Sequence, residues 1–168
     1  ATKEQRTIFF DVKCSMALEE AIEELGGVPK MVRTGHTFMK KELRNAPGSP
    51  MAGEMSGHFF LNDKWPGFDD SIYNASRLLE IVGRSPSPSN GGMKFSERFN
   101  DLPNYPSTDE AKIPLVGNRD DVMSAIVDSF SDMEYSEVDG IRVRYENGWY
   151  LCRPSNTEPI LVMRAEGR

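Results

Sequence analysis

Between Ser85 and Gly92 the chain reads Ser-Pro-Ser-Pro-Ser-Asn-Gly-Gly. No run of residues constrains the fold more. Pro-Ser repeats hold an extended backbone and Gly-Gly is flexible, so neither a helix nor a central strand passes through. The irregular character continues through Asn100-Asp101-Leu102-Pro103-Asn104-Tyr105-Pro106. The chain of 168 residues is therefore expected as a unit at 1–84, a connector at 85–112 and a second unit at 113–168.

The first unit alternates strand and helix patterns. Thr7 to Val12 is short, apolar and β-rich, as a buried strand is. Ser15 is a helix cap, with Leu18, Ala21, Ile22 and Leu25 forming a stripe before Gly26-Gly27. A strand is expected at Lys30–Arg33, a helix at Thr37–Arg44, and short strands at Met51–Met55 and His58–Leu61. Asp70 starts a third helix, with Ile72, Ala75, Ser76, Leu79 and Val82 inward and Gly83 past its end. This order predicts an α/β mixed-sheet layered domain.

The second unit predicts a small α+β domain, one helix packed on an antiparallel sheet. Ile113–Val116 is a strand, and Asp120 or Asp121 caps a helix with Val122, Ala125, Ile126 and Phe130 inward. Ile141, Val143 and Tyr145 alternate, as do Trp149 and Leu151. Asn147-Gly148 between them signals a hairpin turn with positive φ. Ile160–Met163 is a buried strand. A single helix leaves one face of this sheet poorly covered.

Several function classes are excluded. No apolar run reaches the roughly 18 residues of a membrane span. A net charge of -6 opposes general nucleic-acid binding, which needs a basic surface. Cys14 and Cys152 are too few for a disulfide scaffold and fit a reducing, cytoplasmic setting. The cysteines and histidines show no zinc-ligand spacing, and the phosphate-loop and dinucleotide fingerprints are absent.

Three polar loops sit between apolar elements. Arg33-Thr34-Gly35-His36, with Lys40, Lys41 and Arg44, is a positive wall for an anion or a solvated helix face. Gly53-Glu54-Met55-Ser56-Gly57-His58 suits a ligand rich in hydroxyls, or is a polar hairpin turn. Arg153-Pro154-Ser155-Asn156-Thr157-Glu158-Pro159 is a nest of hydroxyls, amide and N–H groups for an anion, or a capped connection.

Taken in order with Asp11-Val12-Lys13-Cys14-Ser15 and Gly67-Phe68-Asp69-Asp70, these loops resemble the α-D-phosphohexomutase superfamily, in its phosphomannomutase/phosphoglucomutase branch. Met55 and Asn156 favour that branch over the phosphoglucosamine mutases. The resemblance implies a cytoplasmic four-domain enzyme interconverting hexose 1-phosphate and hexose 6-phosphate, of mannose or glucose. A phosphoserine, Mg2+ and a hexose 1,6-bisphosphate serve as donor, metal and activating intermediate. It implies that Glu54 and Ser56, with Met55 and Gly57, bind sugar hydroxyls. Arg153, Ser155, Asn156 and Thr157 bind phosphate, and Arg164 adds charge behind them. Lys13, His36 and His58 line the cleft, one of them serving proton transfer or orienting the phosphoryl group.

The chain has no Ser-His-Asn-Pro and no Asp-Gly-Asp loop. The expectation is a fragment carrying the third and fourth domains, truncated at its C-terminus, without metal ligands and inactive alone. Its partners are a phosphorylated hexose and the missing first and second domains, with no nucleic acid and no membrane. The alternative is a stand-alone sugar-phosphate binding module.

Overall fold

The computed structural model describes residues 2, 4–84, 92 and 94–168. The Pro-Ser segment at 85–91 lies outside the described residues.

The first sheet has the order β2-β1-β3-β4, built from β1 (Thr7–Asp11), β2 (Val28–Val32), β3 (Met51–Gly53) and β4 (Phe59–Leu61). β1 pairs parallel with β2 and β3, and β4 pairs antiparallel with β3. Successive side chains of a strand point to opposite faces, so neighbouring phenylalanines of β1 serve different layers. Phe9 packs with Val32, Ala52, Phe60 and with Met39 and Leu43 of α2 (His36–Asn45). Phe10 packs with Cys14 and with Ile22 of α1 (Met16–Glu24). Each buried Phe stabilises this arrangement by about 2–3 kcal/mol. The parallel strands and the two helices on opposite faces follow from that alternation.

Ser15 caps α1 as its position suggests, its Oγ accepting from the Ala17 N–H. The expected stripe is only partly buried: Ile22 is buried and Ala21 half-buried, while Leu18 and Leu25 are exposed and Met16, outside the stripe, is buried. Leu25 is the C-cap, past the last helical turn. Half-buried Glu19 instead faces the second unit, in an ion pair with Arg142.

The third helix, α3 (Ser71–Arg84), begins where Asp70 accepts from the Ile72 and Tyr73 N–H groups. Its expected face is reversed. Ile72 is 79% and Leu79 70% exposed, and Gly83 lies inside the helix. Polar anchors set the rotation: Asn74 donates to the Phe59 carbonyl, Arg77 pairs with Asp63, and Tyr73 stacks on Trp65.

The second sheet is antiparallel, in the order β5-β9-β8-β7-β6. Its strands are β5 (Ala111–Pro114), β6 (Tyr135–Ser136), β7 (Ile141–Tyr145), β8 (Gly148–Pro154) and β9 (Ile160–Gly167), with α4 (Arg119–Asp128) between β5 and β6. Ile141, Val143, Cys152 and Leu161 pack against Val122, Met123, Ile126 and Val127. Asn118, not Asp120 or Asp121, caps α4, its side chain accepting from both of their N–H groups. The hairpin also differs. Tyr145 pairs with Gly148, so Glu146 and Asn147 form the loop, and no described non-glycine residue has positive φ. Gly148 is needed because β9 passes so close that a Cβ would run into the Glu166 carbonyl.

The other face of this sheet is covered by the first unit. Trp149 and Leu151 pack on Val12 and Met16. Glu166, 5% exposed, accepts from Ser15 Oγ, the Met16 N–H and Trp149 Nε1. A carboxylate at a helix N-terminus is favoured by the helix dipole. The second unit thus completes the cap of α1. Residues 106–108 belong to the same assembly, bonding β9 through Gly167 N to Pro106 O and Thr108 N to Ala165 O.

Candidate functional site

The carboxyl ends of parallel strands are where open α/β sheets place ligands. Here β1, β2 and β3 end at Asp11, Val32 and Gly53, and the polar loops follow directly.

Asp11, fully buried, organises them. Its Oδ1 accepts from Cys14 Sγ and from the Met55 N–H, and its Oδ2 from Thr34 Oγ1. Lys13 lies 3.8 Å from Asp11 and 3.4 Å from Glu110. Burial, reinforced by the Asp11 charge and hydrogen bond, pushes the Cys14 thiol far above its ordinary range. Cys14 is an inert structural thiol, as its position beside the strand suggests.

The Glu54 loop is a tight hairpin tip. Glu54 N donates to the His58 carbonyl and Gly57 N to the Glu54 carbonyl. Gly57 has φ 86°, which favours glycine. Glu54 itself is buried. Its Oε1 accepts from the Gly35 N–H at 2.9 Å, while Oε2 has no hydrogen-bond donor. An unmatched buried carboxylate oxygen is costly without a ligand or cation. Ser56 is exposed at the tip.

His36, at the start of α2, and His58, before β4, meet edge-on with ring centroids 4.6 Å apart. Both approach Asp69 Oδ2, His58 Nδ1 at 2.7 Å and His36 Nε2 at 3.4 Å.

The 155–159 loop joins β8 to β9. Ser155 Oγ accepts from the Thr157 and Glu158 N–H groups. Asn156 and Thr157 are exposed, and Asn156 Oδ1 accepts from Arg33 Nη2 at 2.9 Å. Arg33 is the member of the basic cluster that reaches the second unit. Arg153 is buried and its Nε donates to Asp139 Oδ2 at 2.7 Å. Asp139 also lies 3.4 Å from Arg33 Nε and accepts from the Thr34 N–H. One buried carboxylate therefore ties both units together beneath the loop. Arg164 extends towards the Met55 sulfur and donates to Ser107 Oγ.

The predicted groups thus gather in two places. Glu54, Met55, Ser56, Gly57, His36 and His58 line one wall; Ser155, Asn156, Thr157 and Arg153 form the other, with Lys13 and Arg164 between the units held by their own partners. Sequence reasoning passed over Asp69 and Asp139 as site residues. Asp69 reads as part of a helix start, and nothing in its neighbours marks Asp139. The paired aspartates do not form an Asp-rich magnesium loop. Asp70 caps α3, Asp69 faces the imidazoles, and Asp120 and Asp121 occupy the first turn of α4.

Residues 1–105 match the family described as phosphoglucomutase/phosphomannomutase, alpha/beta/alpha domain III. Residues 104–168 match its C-terminal domain. A phosphomannomutase/phosphoglucomutase of Pseudomonas syringae is 42% identical over 162 residues, covering 95% of this chain and 33% of that protein. A phosphoglucomutase of Neisseria meningitidis serogroup A is 40% identical over 164 residues, covering 95% and 34%. This chain spans about a third of the length of these curated relatives. The crystal structure of a phosphoglucomutase/phosphomannomutase family protein from Burkholderia thailandensis superposes with a TM-score of 0.80 at 37% identity, covering 98% of this chain and 37% of that one. An N-acetylphosphoglucosamine mutase of Aspergillus fumigatus shares the fold at 14% identity, with a TM-score of 0.64 over 96% of this chain and 35% of that one.

Proposed function

This chain belongs to the phosphoglucomutase/phosphomannomutase family, and we propose that it forms the sugar-phosphate-binding half of a phosphohexomutase acting on hexose 1-phosphate and hexose 6-phosphate. The observation that carries this reading is the Arg33 Nη2–Asn156 Oδ1 hydrogen bond of 2.9 Å. It ties the Arg33–His36 loop, which holds Glu54 through the Gly35 N–H, to the anion nest of the other unit, and this supports one shared binding cleft.

In this reading Glu54 Oε2 accepts from a sugar hydroxyl, which would satisfy its unmatched oxygen, and Ser56 takes a neighbouring one. The Ser155 and Thr157 hydroxyls and the Asn156 side-chain amide hold the phosphate, with charge from Arg33, Arg153 and Arg164. His36, His58 and Lys13 orient the group to be transferred or move its proton. Phosphoryl transfer asks mainly for positioning and charge stabilisation, which such a cleft supplies. The donor phosphoserine and the activating hexose 1,6-bisphosphate belong to the proposed parent reaction. Asp69 faces the imidazoles, Asp70 caps α3, and Asp120 and Asp121 lie in the first turn of α4, an arrangement that does not fit a magnesium-binding loop.

Calorimetry with glucose 1-phosphate and mannose 1-phosphate tests the binding. Half a cleft binds weakly, so the expected dissociation constant is millimolar to high micromolar, about -4 to -6 kcal/mol. Glu54→Gln and Asn156→Ala should each weaken it. Absence of binding for both sugars would sink the proposal. The chain alone, given glucose 1-phosphate and the bisphosphate, should form no glucose 6-phosphate, and turnover above blank would refute that part.

A further inference from the structure

We propose that His36, His58, Asp69 and Glu54 bind one divalent transition-metal cation of the zinc class at the sugar-loop wall of the cleft. The ligand atoms of His36, His58 and Asp69 all lie within 4.8 Å of one another. Two of the separations are 2.7 Å, from His58 Nδ1 to Asp69 Oδ2, and 3.4 Å, from His36 Nε2 to the same oxygen. Bonds of about 2.0–2.2 Å in a tetrahedral site put neighbouring ligand atoms about 3.4 Å apart. Rotations of two partly exposed imidazoles reach that spacing, since both side chains are 45% exposed.

Glu54 supplies an independent observation. Its carboxylate is 4% exposed and its Oε2 sits 3.9 Å from His36 Nε2. That oxygen accepts no hydrogen bond, so a buried negative atom faces the histidine pair without a donor. A cation there would match its charge. The other oxygen, Oε1, is fixed by the Gly35 N–H, so the carboxylate is already oriented.

The donor set decides which cation. Two imidazole nitrogens and two carboxylate oxygens suit zinc, cobalt(II) or nickel(II), whereas magnesium and calcium prefer oxygen ligands alone. The spacing along the chain hides the site because its ligands come from four places, with Glu54 following β3. His36 starts α2, His58 leads into β4, and Asp69 follows it through the Phe60–Asp69 bridge. Neither thiol competes, since Cys14 and Cys152 are both buried with raised pKa values.

Because this wall is also the proposed sugar subsite, metal and hexose phosphate should exclude one another; that clause rests on the proposed function. The metal site itself does not.

The test is titration of the 168-residue chain with cobalt(II) chloride, read by visible absorption, then with zinc chloride by displacement. One equivalent should bind, with a spectrum of nitrogen and oxygen ligation lacking thiolate charge-transfer. His58→Ala and His36→Ala should each weaken binding by about 10-fold or more. His58→Gln and His36→Gln provide second variants should an alanine variant lose its near-UV circular dichroism. No saturable binding, thiolate charge-transfer, or unchanged affinity in the folded histidine variants would overturn the proposal. Hexose phosphate binding without metal binding overturns it and leaves the proposed function standing. Metal binding without hexose phosphate binding supports it and counts against the proposed function.

Discussion

Replacing Asp139 with Ala should be among the most damaging single changes, for a reason that can be worked through. Asp139 is 3% and Arg153 7% exposed, with 2.7 Å between Oδ2 and Nε. Removing the carboxylate leaves the Arg153 guanidinium buried without its counter-charge. Breaking one partner of a buried pair costs about 3–5 kcal/mol. Arg33 adds little, because at 39% exposure its charge can turn to water, and exposed pairs contribute about 0–1 kcal/mol. Losing the acceptor for the Thr34 N–H adds about 1 kcal/mol. The expected loss is about 4–6 kcal/mol, or about 8–24 °C in Tm at about 2–4 °C per kcal/mol. Urea and thermal unfolding followed by tryptophan fluorescence measure it, since Trp149 lies in the cluster between the units. Adding Arg153→Met to Asp139→Ala should recover about 2 kcal/mol, as the orphaned charge is removed. A cost below about 1 kcal/mol for Asp139→Ala, or no recovery in the double variant, would refute the reasoning.

Three further outcomes are expected. Gly140→Ala should cost at least about 2 kcal/mol in denaturant unfolding, since φ is 73° and a Cβ would sit 2.6 Å from Arg153 Cα. Asn118→Ala should cost about 1 kcal/mol by the same measurement, having lost the cap that accepts from Asp120 and Asp121. The raised thiol of Cys14 makes stability fall at alkaline pH. The unfolded thiol ionises near its ordinary value while the folded one stays protonated, so its contribution is present below that value and lost as pH rises. Stability measured from about pH 8 to 10 should fall by up to about 1.4 kcal/mol per pH unit for this thiol. Cys14→Ala should flatten the slope by that share; an unchanged slope would contradict the account.

Legibility in the sequence varied with how local the controlling interaction is. Ser15 and Asp70 were readable as caps because a cap bonds the N–H groups two or three residues on. The buried strand at Phe9 and Phe10 was readable from its apolar run. The rotation of α3 was not, because Asn74, Arg77 and Tyr73 anchor it through β4 and the loop beyond. The cap of α4 fell to Asn118, one helical start earlier than the aspartates suggested. Asn147-Gly148 looked like a left-handed turn, yet the glycine serves the close approach of β9, a demand made from outside the hairpin.

The candidate site divides in the same way. The Gly53–His58 and Arg153–Pro159 loops announce themselves by residue type, and their order along the chain points to the family. That His36 and His58 share Asp69, that Arg33 reaches Asn156, and that Asp139 holds Arg33 and Arg153 together cannot be read along the chain. The sequence by itself marked most of the helices and strands and the chemical character of each loop, but it missed β6, placed β5 two residues late and stopped β9 at Met163, short of Gly167. Only the tertiary structure decided which loops meet, which charges are buried together, and that the first unit covers the open face of the second sheet. Periodicity and capping act over a few residues, whereas these meetings depend on strand register and on packing between units more than a hundred residues apart in sequence, as from Ser15 to Glu166.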